Sequence, residues 1–150
     1  MARLPEPDFT KIFSENEADS DNLQAVCDFL QENVEHYDWV GFYIVNKPEQ
    51  VLELGPFAGE PTDHKVIPFG KGVCGQSAEK EENIVVSDVS KLNNYLSCSL
   101  YVKSEIVVPV FNDGKYVAQI DIDSHQLNPF TKKDEEYLEN ICLSVKHLFN

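Results

Sequence analysis

Apolar positions fall on helical stripes in two long stretches, one near each end of the chain. Leu23, Val26, Cys27, Leu30 and Val34 recur at spacings of three and four and predict a helix over 19–36. Leu138, Ile141, Cys142, Val145, Leu148 and Phe149 do the same over 131–148, where Thr131 and Asp134 have the spacing of a capping box. Shorter helices are predicted over 8–16 and 73–80. Between the long helices the pattern changes to the alternation of strands. Residues 39–45 form one, and 51–54 form a second after the turn Lys47-Pro48-Glu49-Gln50, with Gly55-Pro56-Phe57 ending it. Residues 64–68 read as a short extended piece, 84–86 as a buried strand, and 88–100 as irregular and polar. The order predicts an α+β domain, a central antiparallel sheet with the N- and C-terminal helices packed on one face. Residues 1–18 read as an N-terminal extension with a short helix, and 19–150 as a single domain.

The last two strands carry the densest chemistry. Ser104 to Phe111 and Lys115 to Ser124 flank Asn112-Asp113-Gly114, the signature of an antiparallel hairpin. A two-residue loop would set Glu105 opposite Ile122 and scatter polar and apolar residues over both faces. A three-residue loop with Gly114 left-handed sets Glu105 opposite Asp121. Ile106, Val108, Val110, Ala118, Ile120 and Ile122 then share one face, and Glu105, Asp121 and Asp123 share the other. The second register is the consistent one. Three carboxylates at one end of a sheet face repel each other unless a cation or a raised pKa relieves them. A simply solvated face is the other reading.

Composition narrows the classes. The chain has 150 residues, 42% of them hydrophobic, enough for one domain with a real core. Its net charge of −14, densest before residue 39, argues against nucleic acid or an anionic membrane as partner. No apolar run is long enough to span a bilayer and the N-terminus has no signal-peptide pattern, so a cytoplasmic location is expected. Cys27, Cys74, Cys98 and Cys142 contain no CxxC, and neither a structural zinc site nor a disulfide framework is expected. Cys27 and Cys142 lie on core stripes. Cys74 opens a short helix, where backbone N–H groups would lower a thiol pKa, and Cys98 sits in a polar loop. Gly70 to Gly75 matches GxGxxG, but Pro68 spoils the strand before it and the antiparallel hairpin argues against a dinucleotide fold.

Several blocks together resemble a GAF domain, and more narrowly the free methionine-R-sulfoxide reductase family. They are Asp38 to Tyr43, Leu54 to Phe57, Ile67 to Gly75, Asp88-Val89, Cys98, Ser104 to Pro109, Ile120 to Ser124, and Phe130-Thr131 with Asp134-Glu135. The resemblance runs from about Asp19 to the C-terminus. It implies a GAF-like sheet whose ligand pocket lies opposite the terminal helices, with no cofactor. The implied reaction is reduction of free L-methionine (R)-S-oxide. Cys98 would attack the sulfur, while Glu105, Asp121 and Asp123 would hold the amino acid and help protonate the departing oxygen. Trp39, with Tyr43 nearby, would pack against the methyl end, and thioredoxin or another thiol reductant would regenerate the enzyme. These residue types suit the chemistry. A sulfoxide oxygen leaves only when protonated, a task for a carboxylic acid kept neutral by other carboxylates. Sulfur on an aromatic wall gains about 0.3–1.5 kcal/mol. A thiolate oxidised to sulfenic acid condenses with a second thiol.

The chain departs from the family pattern at the thiols. His64 replaces a cysteine ten residues before Cys74, and Tyr95 and Ser99 replace the usual His and Asp around the nucleophile. Either Cys74 is the resolving thiol or an external thiol reduces the sulfenic acid. His64 reads as a surface histidine or as a group that activates Cys98. Two non-enzymatic readings stay open, a sensor of amino-acid-like cations and a module that forms a homodimer through its terminal helices.

Overall fold

The computed structural model describes residues 4–92 and 101–149. A short helix α1 (Phe9–Ile12) precedes α2 (Asp19–Asn33), and three strands follow, β1 (Trp39–Asn46), β2 (Val51–Ala58) and β3 (Val66–Pro68). Helix α3 (Gly72–Lys80) leads to β4 (Ile84–Val86), the hairpin β5 (Ser104–Asn112) and β6 (Lys115–Ser124), and helix α4 (Lys132–Val145). The sheet is six-stranded in the order β3-β2-β1-β6-β5-β4, and every neighbouring pair is antiparallel. The expected α+β class and central antiparallel sheet are what the chain forms.

The two faces of the sheet have separate cores. The α2 stripe and the α4 stripe pack with Val40, Phe42, Ile106, Val108, Val110, Ala118, Ile120 and Ile122 in one cluster. Cys27 and Cys142 are buried in it, and burial pushes both thiols up, as expected of inert core cysteines. On the other face α3 covers Trp39, Tyr43, Leu52, Ile67, Val107 and Tyr116 with Val73, Cys74 and Ala78. Thr131 and Asp134 form the capping box that starts α4. Asp134 Oδ1 also accepts hydrogen bonds from Tyr37 Oη at 2.7 Å and lies 2.8 Å from His36 Nε2, tying the start of α4 to the segment that enters β1.

The hairpin reaches the expected faces by a different route. Its turn has two residues, Asp113 and Gly114, with φ of 53° and 75°, the left-handed pair that Asp-Gly supplies. Continued without interruption, that register would invert the faces. A bulge at Val117 prevents this, because Phe111 pairs with Tyr116 while Val110 pairs with Ala118. Glu105 therefore sits opposite Asp123 rather than Asp121. The shift from the expected register is two residues, so the parity of the faces is unchanged.

Two further expectations are corrected. Strand β2 does not end at Gly55 but continues to Ala58, with a register shift between the Gly41–Phe57 and Tyr43–Leu54 pairs. A bulge is where a strand tolerates proline, and here it absorbs Pro56. Strand β4 is an edge strand rather than a buried one, with Val85 41% exposed.

Candidate active site

The pocket lies between α3 and the sheet, opposite the terminal helices. Strand alternation aims the odd-numbered residues of β1, β5 and the upper half of β6 at this side. Across β1 and β6, Trp39 pairs with Asp123, Gly41 with Asp121, and Tyr43 with Gln119. Glu105 on β5 pairs with Asp123 from the other edge. The three carboxylates thus meet on one patch of sheet, and they are 4%, 5% and 3% exposed for Glu105, Asp121 and Asp123. The solvated-face reading is excluded. Trp39, Tyr43, Cys74, Glu105, Asp121 and Asp123 all line one narrow cavity of about 20 Å³, joined by Thr62, His64 and Lys71. Cys98, Tyr95 and Ser99 lie outside the described residues.

The aromatic wall depends on a glycine. A Cβ at Gly41 would stand 2.4 Å from the Trp39 ring, so the indole lies across a position that only glycine leaves open. Phe57 stacks behind it at 5.5 Å, 18° from parallel. The polar ends of both wall residues hold the 59–65 loop. Trp39 Nε1 donates to the Glu60 carbonyl at 2.9 Å, and Tyr43 Oη donates to the His64 carbonyl at 2.8 Å. His64 is consequently half-buried at the cavity wall rather than on the open surface.

Electrostatics in the pocket run against charge. Burial, then the neighbouring Asp121 and Asp123, push the Glu105 carboxyl well above the usual carboxylate range. Burial also raises Asp121, against hydrogen bonds from Glu105 and Cys74 that lower it. A neutral Glu105 beside a carboxylate that shares its proton relieves the repulsion. Cys74 presents its thiol to Glu105 Oε2 at 3.7 Å. The helix start was expected to lower this thiol's pKa. Instead burial, then Asp121, Glu105 and Asp123, push it well above its ordinary value, because three acidic neighbours and lost hydration outweigh a few N–H dipoles.

The chain that carries this pocket is similar to known proteins. The GAF domain family matches residues 20–146. A free methionine-R-sulfoxide reductase of Neisseria meningitidis, solved in complex with its substrate, superposes with a TM-score of 0.86 at 35% identity, over 94% of this chain and 83% of that one. A type II free methionine-R-sulfoxide reductase from Thermoplasma acidophilum gives a TM-score of 0.83 at 36% identity, over 94% of both chains. The chain belongs to the free methionine-R-sulfoxide reductase family of GAF domains. The Saccharomyces cerevisiae free methionine-R-sulfoxide reductase is 43% identical over 107 residues, 70% of this chain and 59% of that protein.

Sequence reading of this GAF domain missed the polar layer beneath Cys74. Gln119, fully buried, donates from Nε2 to the Cys74 carbonyl at 3.1 Å and to Tyr116 Oη at 2.6 Å. Tyr116 and Ser77 Oγ lie 3.0 Å apart, and Ser77 donates to the Glu82 carbonyl at 2.7 Å. Since the Ser77 proton is committed to Glu82, Tyr116 donates to Ser77. The chain of bonds fixes the first turns of α3 against β6. Gln119 shares the parity of Asp121 and Asp123, a signal that was there to find. Tyr116 reaches this face only through the bulge, and no alternation rule points to it.

Proposed function

We infer that this chain reduces free L-methionine (R)-S-oxide to methionine in the cytoplasm. The observation that supports it most is the closed acidic patch of Glu105, Asp121 and Asp123 under the Trp39–Tyr43 wall, in a chain of this family. Carboxylates on that patch pair with the substrate ammonium, and the aromatic wall takes the S-methyl end. The cavity's 20 Å³ is room for about one water, so substrate binding requires the pocket to widen.

Cys98, as a thiolate, attacks the sulfoxide sulfur. Protonated Glu105, hydrogen-bonded to Asp121 and with Asp123 beside it, donates to the oxygen, and methionine leaves as the oxygen is transferred to Cys98 as sulfenic acid. A second thiol attacks that sulfenic sulfur, forming a disulfide and releasing water. Thioredoxin or another dithiol then reduces the disulfide. Within the chain, Cys74 is the candidate for the second thiol, and its raised pKa makes it slow at neutral pH, leaving an external thiol to compete.

Turnover is measured with dithiothreitol or thioredoxin on free methionine sulfoxide, separating the R and S epimers. Production of methionine from the R epimer, abolished in Cys98→Ser, is the expected result. Saturable binding without turnover, read by the chain's single tryptophan, Trp39, would replace the reductase by an amino-acid-binding GAF domain.

A further inference from the structure

The same pocket has the dimensions and donors of a site for something smaller than an amino acid. Cys74, Glu105 and Asp121 each offer one ligand atom, these atoms all lie within 4.8 Å of one another, and all three residues are buried. The Cys74 Sγ to Glu105 Oε2 separation is 3.7 Å. Tetrahedral ligands at ordinary zinc–sulfur and zinc–oxygen distances stand about 3.5 Å apart. Asp121 Oδ1 is buried with no hydrogen-bond partner among the described residues, and Asp121 lines the cavity. The cavity of about 20 Å³ fits one water-sized sphere. A sulfur donor among oxygens suits zinc or cadmium over magnesium or calcium. The cysteine spacing that argues against a zinc finger has no bearing here, because the three donors come from α3, β5 and β6.

We propose that Cys74, Glu105 and Asp121 form a site for a zinc-like divalent cation, and that the ion blocks the reductase by taking the place of the substrate ammonium. The blocking half rests on the proposed reductase function, whereas the binding half stands without it. On binding, metal–sulfur and metal–oxygen bonds form as the Cys74 S–H and the Glu105 O–H break. Two protons go to solvent and no electrons move. A tetrahedral ion held by these three residues keeps one further position open. Gln119, holding the Cys74 carbonyl, keeps the sulfur donor registered against the two strands that supply the oxygens.

The test titrates the reduced full chain with Cd²⁺ and reads the ultraviolet thiolate-to-metal absorbance, which requires no turnover. The band should saturate at about one equivalent. It should vanish in Cys74→Ser, persist in Cys98→Ser, and require at least about tenfold more Cd²⁺ in Asp121→Asn. Thermal unfolding confirms that each variant is folded. Zn²⁺ should displace Cd²⁺, and free methionine sulfoxide should weaken Cd²⁺ binding. No band in the parent chain, or a band that survives Cys74→Ser, would overturn the site. Sulfoxide turnover unchanged at saturating Zn²⁺ would overturn its blocking role. Cd²⁺ binding in a chain without turnover would keep the site and remove the reductase reading instead.

Discussion

Glu105 and Gly41 show how much chemistry a single position carries in this pocket. Burial, then Asp121 and Asp123, push the Glu105 carboxyl toward its neutral form, which in the proposed mechanism supplies the proton for the sulfoxide oxygen. Glu105→Gln keeps the shape and removes that proton. It should lower kcat about 100-fold or more, with substrate still quenching Trp39 fluorescence, as steady-state assay and titration together would show. Loss of binding in step with turnover would instead make Glu105 an ammonium ligand. Gly41→Ala acts on shape alone. Its methyl would collide with the indole, tilt the aromatic wall and raise KM more than it lowers kcat, with a shifted Trp39 emission as the structural readout. A third test concerns Cys74. Its thiol is raised, so Cys74–Cys98 disulfide formed after a single turnover should appear about tenfold faster per unit of pH above neutral. A pH-independent rate would assign resolution to an external thiol.

Elements explain what could be read in the sequence and what could not. Beyond the bulge parity survived the error of register, because a two-residue slip returns each side chain to its own face. Ile106, Ile120 and Ile122 could therefore be assigned to the helix-covered core, and Glu105, Asp121 and Asp123 to the pocket, before the turn was known. Bulges were beyond reach. Val117 and Pro56 each absorb one residue, and nothing in local propensity distinguishes such a residue from its neighbours. The first bulge carries Tyr116 to the pocket side, and the second lets β2 run past Gly55-Pro56. Strand β4 looked buried because Ile84-Val85-Val86 is apolar, although only its position at the sheet edge decides exposure. The direction of the Cys74 shift was illegible for a related reason. The helix start is local, but the three carboxylates that oppose it come from strands 31 to 49 residues further along. At this scale Tyr116→Phe is the informative variant. It breaks the Gln119–Tyr116–Ser77 chain inside the protein and should cost about 1–3 kcal/mol in urea unfolding, with α3 loosened and Cys74 reacting faster with thiol reagents.

For the whole molecule, one buried acid on the helix-covered side of the sheet, Asp134, and the carboxylate cluster on the other pull stability in opposite directions with pH. Asp134 is buried, which alone would raise its carboxyl, but bonds from His36, the Thr131 N–H and Tyr37 outweigh this and hold it below its ordinary 3.8. A depressed folded pKa contributes stability above 3.8 that is lost as pH falls through the folded value. Glu105 is the reverse case. It faces Asp121 and Asp123 from β6, Cys74 from α3, Tyr43 from β1, and His64 and Lys71 at the cavity wall. Its folded pKa lies well above 4.5, so its contribution is complete below 4.5 and is lost as pH rises through the folded value. Asp121, raised from 3.8, acts in the same direction. The chain's net charge of −14 adds self-repulsion that also grows with pH. Stability should therefore peak in mildly acidic solution and decline on both sides, as thermal unfolding across pH would record. The two limbs separate by mutation. Glu105→Gln should flatten the decline toward alkaline pH and leave the acid limb in place. Asp134→Asn should remove the acid limb and cost about 2–3 kcal/mol at neutral pH, since a charged acceptor of several buried bonds is lost. A parent chain whose unfolding temperature rises steadily from mildly acidic to alkaline pH would mean that the pocket carboxylates are ionised and paired after all.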